Sequence, residues 1–396
     1  MSPSSARQQQ ERQQVPPETP CEASQPAGRE GITGARASGP PCAVMAAEKI
    51  SIVAACRNEA KHIREFIDSV LAQDLAGLDW EFIVADGQSN DGTAEILAEI
   101  AARDSRIVLI ENPARAVGSG LNAAIRIASG AIVLRMDAHT EYAPDYVKKC
   151  LHAMKSTGAQ NVGGPARTKA EGLWPRAIQS AYHSRFSTGG ARFHDENFSG
   201  YVDTVPYGCW RRETLEQLGL YDERLIRNQD DELNLRLIRA GGKIWQSSEI
   251  VSWYRPRTSL SSLFQQYFQY GFWKVPVIRK HKVPGAWRHL VPGTFVLANI
   301  FLPLAAVVSL LVGDAPLMKL ALLAWALLAG TYALAVLTAS IFAAKQRGWG
   351  LFPYLPLCFA VFHVSYGLGF ALGLIYWPFA KPGGSKLGAA FVGISR

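Results

Sequence analysis

The sequence predicts an α/β domain, a mostly parallel sheet with helices on both faces, followed by a helical transmembrane region. Three observations predict it. Between residues 49 and 135, short β-branched runs alternate with segments of helical apolar spacing, the pattern of repeated βα winding. Polar, acid-bearing loops follow the second and fourth of these runs, where an open α/β sheet places its ligands. After residue 290 the chain turns strongly apolar, in three segments that each exceed the roughly 20 residues needed to span a bilayer.

Residues 1 to about 45 are rich in Pro, Ser, Gln, Arg and Gly and are expected to be disordered. They lack the apolar core of roughly 7–15 residues that marks a signal peptide, so the next domain is expected on the cytosolic side. Met45 stands directly before the first ordered-looking segment and is expected to be the native start, with residues 1–44 absent from the native protein.

Ile50 to Ala55 reads as a buried strand, and Arg57-Asn58-Glu59 as the loop at its carboxyl end. Ile63, Phe66, Ile67, Val70 and Leu71 put a helix over 60–73. Trp80 to Ala85 is a second strand, and the turn from Asp86 to Thr93 opens a helix over about 93–103. Ile107 to Ile110 is a third strand, followed by a helix over about 119–129. Ala131 to Arg135 is the fourth, and it ends at Asp137.

The alternation then loosens. A helix is expected over 144–156, a short strand over Gln160–Gly164, and a long functional loop over 165–204. Val205 to Trp210 reads as an edge strand, Arg211 to Leu218 as a short helix, and Asn228 to Ala240 as a helix closed by Gly241-Gly242. Lys243 to Gln246 is a further strand.

Residues 259–275 carry Leu260, Leu263, Phe264, Tyr267, Phe268, Phe272 and Trp273 at helical spacing, opposite Gln and Ser. Such a helix either lies in a membrane interface or packs as a core helix. The apolar segments cover about 292–313, 316–343 and 351–379. With Lys282 and Arg288 cytosolic, two spans return Lys345 and Arg347 to the cytosol, as the positive-inside tendency asks. The third segment holds Pro353, Pro356, His363 and Ser365 and is followed by Lys381, Lys386 and Arg396, so it crosses fully or is re-entrant or split. The expected division is a disordered segment 1–45, an α/β domain 46–258, an amphipathic interfacial segment 259–288 and a transmembrane region 289–396.

Composition narrows the function classes. The 396 residues are 48% hydrophobic and only 19% charged, with a net charge of +8. Basic residues beside long apolar segments point to anionic lipid. There is no Lys/Arg block with interleaved aromatics of the kind a nucleic-acid groove needs. The six cysteines form no C-x-x-C pair and fit no zinc pattern, as expected of inert thiols in a reducing compartment. No G-x-G-x-x-G follows the first strand, which argues against a dinucleotide-dependent oxidoreductase.

Three acidic sites remain: Asp86 with Asp91, Asp137 with His139, and Asp230-Asp231-Glu232 at a helix start. Each has a plain structural reading. Asp86 and Asp91 suit turn and N-cap positions, and the acidic triplet complements a helix dipole. Together they suit a nucleotide at the strand ends, a metal on its phosphates and a carboxylate base nearby.

In order, S-I-V-A-A-C-R-N-E, D-G-Q-S-N-D-G-T, R-M-D-A-H-T and N-Q-D-D-E-L-N-L-R-L resemble a family 2 glycosyltransferase of GT-A fold, over about residues 48–275. The R-M-D-A-H, N-Q-D-x-E-L and Q-Y-F-Q-Y-G-F-W-K stretches are most similar to the branch of the succinoglycan biosynthesis protein ExoA, membrane enzymes of bacterial exopolysaccharide assembly. The resemblance implies that Ala55, Arg57 and Glu59 line the nucleotide pocket and that Asp86 contacts the uridine. It implies that Asp137 and His139 bind a divalent cation, Mn2+ or Mg2+, and the donor diphosphate. Asp230 matches the catalytic base, and Gln266, Tyr270 and Gly271 stand near the acceptor-side closing motif.

The chain departs from the family pattern where His139 replaces a second Asp, which suits Mn2+ better than Mg2+. It departs again at Asp86-Gly87, where a double Asp is common, and at Gln229-Asp230, where the base loses its acidic neighbour. The implied activity is inverting transfer of a sugar, glucose by the branch, from a UDP-sugar to a lipid-linked saccharide. The implied place is the bacterial cytoplasmic membrane, multi-pass, with the catalytic domain facing the cytosol. Components of polysaccharide assembly are candidate protein partners. Transfer to polyprenyl phosphate itself is the alternative, with Arg185, Arg211 or Arg212 as its basic pocket. A catalytically silent, nucleotide-binding membrane scaffold is the alternative from another class.

Overall fold

The computed structural model describes residues 48–380. The expectations for residues 1–45, for Met45 as the start, and for Lys381, Lys386 and Arg396 lie outside the described residues.

The first half winds as strand, helix, strand: β1 (Ile50–Cys56), α1 (Ile63–Leu71), β2 (Trp80–Asp86), α2 (Thr93–Ala101), β3 (Ile107–Glu111), α3 (Val117–Ile127) and β4 (Ile132–Arg135). β1 pairs in parallel with both β2 and β4, and β2 with β3. β4 is buried at every position, and β1 and β2 nearly so, as expected of strands covered by helices on both faces. The helices expected here exist, each within a few residues of its predicted bounds.

The second half is more broken. It runs β5 (Thr140–Tyr142), α4 (Tyr146–Thr157), β6 (Asn161–Gly163), β7 (Arg167–Thr168), α5 (Leu173–Tyr182), α6 (Arg185–Thr188), β8 (Gly200–Tyr201), β9 (Cys209–Arg211), α7 (Arg212–Leu218), α8 (Gln229–Arg239), β10 (Ile244–Gln246) and β11 (Ser252–Tyr254). The large sheet has the order β3-β2-β1-β4-β9-β6-β10-β8, and β5-β11-β7 form a second, small sheet.

One expectation is corrected here. The segment ending at Trp210 is no edge strand: β9 lies between β4 and β6 and is antiparallel to both. Cys209 and Trp210 are consecutive and both buried, so both faces of β9 are covered. The sheet is therefore parallel over its first four strands and mixed beyond. Its faces carry two apolar cores, one centred on Phe66, Phe82 and Tyr146, the other on Leu121, Trp210 and Leu233.

Four long helices follow: α9 (Leu260–His281), α10 (Val291–Val312), α11 (Ala315–Arg347) and α12 (Leu355–Tyr376). The stretches Trp287–Val312, Ala315–Arg347 and Leu355–Tyr376 are long and apolar enough to cross a membrane. α11, with 33 residues, extends about 50 Å at 1.5 Å per residue. Pro353 precedes α12 and Pro356 stands in its first turn, where no backbone donor is needed, so this helix is unbroken.

α9 joins the two parts. At Gly271 an added Cβ would strike the Tyr366 carbonyl of α12, and at Gly369 one would strike the Phe268 carbonyl of α9. Only glycine allows this approach, the small-residue packing typical of membrane helices. On the polar side of α9, contacts run to the sheet domain. Gln269 is buried and accepts from Arg227 at 2.8 Å, and Asn228 donates to the Tyr270 carbonyl at 2.9 Å.

Candidate active site

A cleft of about 730 Å³ opens at the carboxyl ends of β1 and β4, within the size range of small-molecule sites. Arg135 ends β4 and is buried, at 8% exposure. Its Nε donates to Asp137 Oδ1 at 2.7 Å and its Nη2 to Asp137 Oδ2 at 2.9 Å. Its remaining nitrogen, Nη1, donates to Asp230 Oδ1. One guanidinium thus joins both predicted acids. Burial works against the charge on Arg135, but Asp137 and Asp230 outweigh it and raise its pKa.

The loop carrying Asp137 is held from behind. Its backbone N–H donates to the Tyr142 hydroxyl at 2.6 Å, and Thr140 and Tyr207 share a hydroxyl–hydroxyl bond of 2.7 Å. β5 pairs with β11, and the Tyr254 ring meets His139 edge-on at 5.6 Å. Asp137 and His139 both line the cleft.

Asp230 sits in the first turn of α8, where the helix dipole favours an anion. Its side chain is 39% exposed to the cleft, yet it lies deep among protein atoms. That burial pushes its carboxyl up to about 6, Asp137 and Asp231 add to the rise, and Arg135 opposes it. The acidic triplet divides its tasks. Asp231 accepts from Lys274 at 2.5 Å, and Glu232 is fully buried among Arg236, Lys280 and His281 as a structural ion cluster.

Ala55, Arg57 and Glu59 line the β1 side of the cleft with Asn112 and Arg115. Arg57 Nε is buried there with no partner among the described residues. Asp86 stands apart. It does not line the cleft, and its carboxylate accepts from Ser89 N at 3.0 Å and Ser89 Oγ at 2.5 Å. Asp91 holds Thr93 and Ala60 N in the adjoining turn.

Gln266 and Tyr270 face the cleft and are joined by a 2.9 Å bond. Gly271 does not line it, because it is the contact point of α9 with α12. Arg185, Arg211 and Arg212 are likewise outside the lining. Arg211 pairs with Glu48, and Arg212 donates to the Ala128 carbonyl. The basic pocket expected of them is not there.

Sequence reasoning passed over Arg135, Tyr142, Tyr207 and Lys274. A charged residue inside the buried run Ile132–Arg135 was the available signal for the first, since a buried charge needs a partner.

A metal would find two protein ligands of suitable chemistry, one carboxylate and one imidazole. Among the described residues no group of three His, Cys, Asp or Glu could hold an ion alone. A metal there would share the Asp137 carboxylate with Arg135 and would need the oxygens of a diphosphate to complete its shell.

A βα sheet, an acid after its fourth strand and a second acid facing it from a helix start define a GT-A type glycosyltransferase. Residues 51–219 match the model of the family described as Glycosyl transferase family 2. The succinoglycan biosynthesis protein ExoA of Rhizobium meliloti (strain 1021) is 30% identical over 331 residues, which cover 81% of this chain and 93% of that protein. The dolichyl N-acetyl-alpha-D-glucosaminyl phosphate 3-beta-D-2,3-diacetamido-2,3-dideoxy-beta-D-glucuronosyltransferase of Methanococcus voltae is 26% identical over 334 residues, 82% of this chain and 97% of that protein. The chain belongs to glycosyl transferase family 2. Its fold is similar to that of the mannosyltransferase PcManGT from Pyrobaculum calidifontis, solved in complex with GDP-Man and Mn2+. That likeness has a TM-score of 0.52 at 18% identity and covers 82% of this chain and 87% of that chain.

Proposed function

We propose that the enzyme is an inverting transferase that moves a hexose, glucose by its likeness to ExoA, from a UDP-sugar to a lipid-linked saccharide. The reading places it at the cytosolic face of a bacterial membrane, in exopolysaccharide synthesis. The observation that carries it is Arg135, which draws Asp137 and Asp230 together in a cleft that runs on to the first turn of α10 and to α12. The relatives support the acceptor class by their names, one a succinoglycan biosynthesis protein and the other a transferase to a dolichyl phosphate sugar.

Ala55, Arg57 and Glu59 hold the nucleotide end of the donor, and the unpartnered Arg57 Nε is a donor for it. Asp137 and His139 would hold a divalent cation, which supplies positive charge to the departing diphosphate. Asp230 takes the proton of the acceptor hydroxyl, and a carboxylate poised near 6 is ionised at neutral pH. Arg135 keeps that carboxylate in place. The hydroxyl attacks the anomeric carbon, which develops oxocarbenium character, from the face opposite the diphosphate. One displacement inverts the centre, so an α-linked donor gives a β-linked product.

UDP release from a panel of sugar nucleotides, with Mg2+ or Mn2+, tests the donor. The anomeric configuration of the product tests the stereochemistry, and a retained α-linkage would overturn it. Mild acid treatment separates the acceptors, because a sugar on polyprenyl phosphate itself is acid-labile.

A further inference from the structure

The cleft does not end at Asp230. It continues past Asp231 to α9, to the 3-10 turn Trp287–His289, and to α12. Two cations stand there. Lys274 is 3% exposed and donates to Asp231, and Arg288 donates to Asp203. Each makes one such bond among the described residues, although a lysine carries three donors and an arginine five. The Tyr366 hydroxyl and His289 Nδ1 line the same cleft, buried and without a partner among the described residues. Groups of this kind normally find one. Lys274 of α9, Arg288 and His289 of the 3-10 turn, and Tyr366 of α12 all line this cleft with Asp231, which Lys274 bonds directly, and Lys274, Arg288 and His289 all act electrostatically on Asp231.

The lining then changes character. Val291 and Pro292 of α10 and Phe362 of α12 border the polar cluster, on helices long and apolar enough to cross a membrane. This end of the cleft suits a ligand with a head rich in acceptor oxygens and a hydrocarbon tail. Lys274 and Arg288 are each paired with a carboxylate of the same lining, and each keeps further N–H donors beyond that pair. A phosphate ester uses both, since lysine and arginine bind its oxygens through charge-assisted bonds.

We propose that Lys274, Arg288, His289 and Tyr366 form a subsite for the phosphate of a lipid phosphate, beyond the base along the cleft. The subsite presents the sugar carried by that phosphate to Asp230. It rests on the reading of the acceptor as lipid-linked. Asp231 and Asp203 orient the two cations and leave their other donors for the phosphate.

The test uses the full-length enzyme in detergent micelles, with labelled farnesyl phosphate as probe and UDP with Mn2+ measured in parallel. The wild type is expected to bind farnesyl phosphate more tightly than farnesol. Arg288→Gln and Lys274→Met are each expected to weaken farnesyl phosphate roughly tenfold or more, the scale of one lost charge-assisted bond, with UDP affinity unchanged. Lys274→Arg should keep the affinity. Equal binding of farnesyl phosphate by wild type and Arg288→Gln would overturn the subsite, as would equal binding of farnesyl phosphate and farnesol. Inorganic phosphate competing as well as farnesyl phosphate would overturn its lipid character. Should Lys274→Met also lose UDP, a sign of misfolding, the less buried Arg288 carries the decision. Failure of the wild type to bind UDP would count against the donor reading alone, because the farnesyl phosphate arms decide the subsite independently.

Discussion

Arg135 and Asp230 are 95 residues apart in the chain and are joined by an ion pair at the floor of the cleft. The same guanidinium holds both oxygens of Asp137. The proposed base and the acid proposed to face the diphosphate are therefore joined through one side chain.

A pH dependence follows. Asp230 is pushed up to about 6, and in its proposed role as base it acts only when ionised, so kcat/KM should fall with decreasing pH below about 6 and level off above it. Arg135 lowers that pKa, so Arg135→Gln should move the acid limb to higher pH. A pH profile of kcat/KM for both enzymes checks this; a limb that stays in place would uncouple Arg135 from the base.

Asp230→Asn should lower transfer by about 10²–10⁴, the scale of general base catalysis, while UDP affinity is kept. The amide oxygen can still accept from Arg135, so the cleft keeps its shape. Near-normal turnover in this variant would remove Asp230 from the mechanism.

Asp137→Ala should weaken UDP binding in the presence of Mn2+ and leave the metal-free affinity nearly unchanged. His139→Ala should lower the preference for Mn2+ over Mg2+, because imidazole is the ligand that favours the transition metal. Calorimetric titration with each ion, and with the ion chelated, separates the two roles. An Asp137→Ala affinity equal to wild type under all conditions would refute the metal role.

Two glycines should respond with different signs. Gly271→Ala forces a Cβ into the Tyr366 backbone and should cost about 1–3 kcal/mol, the range for overpacking. Gly330 in α11 has open space around its Cβ position, so Gly330→Ala should be neutral or stabilising. Thermal unfolding midpoints in detergent compare them, and equal shifts would argue against the α9–α12 contact.

The parallel half of the sheet was legible because its strands are runs of mostly buried β-branched residues with helical spacing between them. β5, β7 and β11 have two or three residues each, too few to show a period, and they exist only through pairing. β9 misled for the same reason, since nothing in Cys209–Arg211 says that partners lie on both sides.

By itself the sequence determined the family, the order of the acids and the three apolar helices, because each is written in contiguous residues of fixed spacing. Only the tertiary structure decided which of those acids meet. Asp137 and Asp230 converge on Arg135, while Asp86 turns to Ser89 and Glu232 is spent on a buried ion cluster. Gly271 lies within a motif stretch yet serves helix packing, and Lys274 a few residues on turns into the cleft. The physical reason is that hydrogen-bond and ion-pair partners are chosen in space. A carboxylate in a loop looks the same in sequence whether it faces a ligand, a serine or a guanidinium.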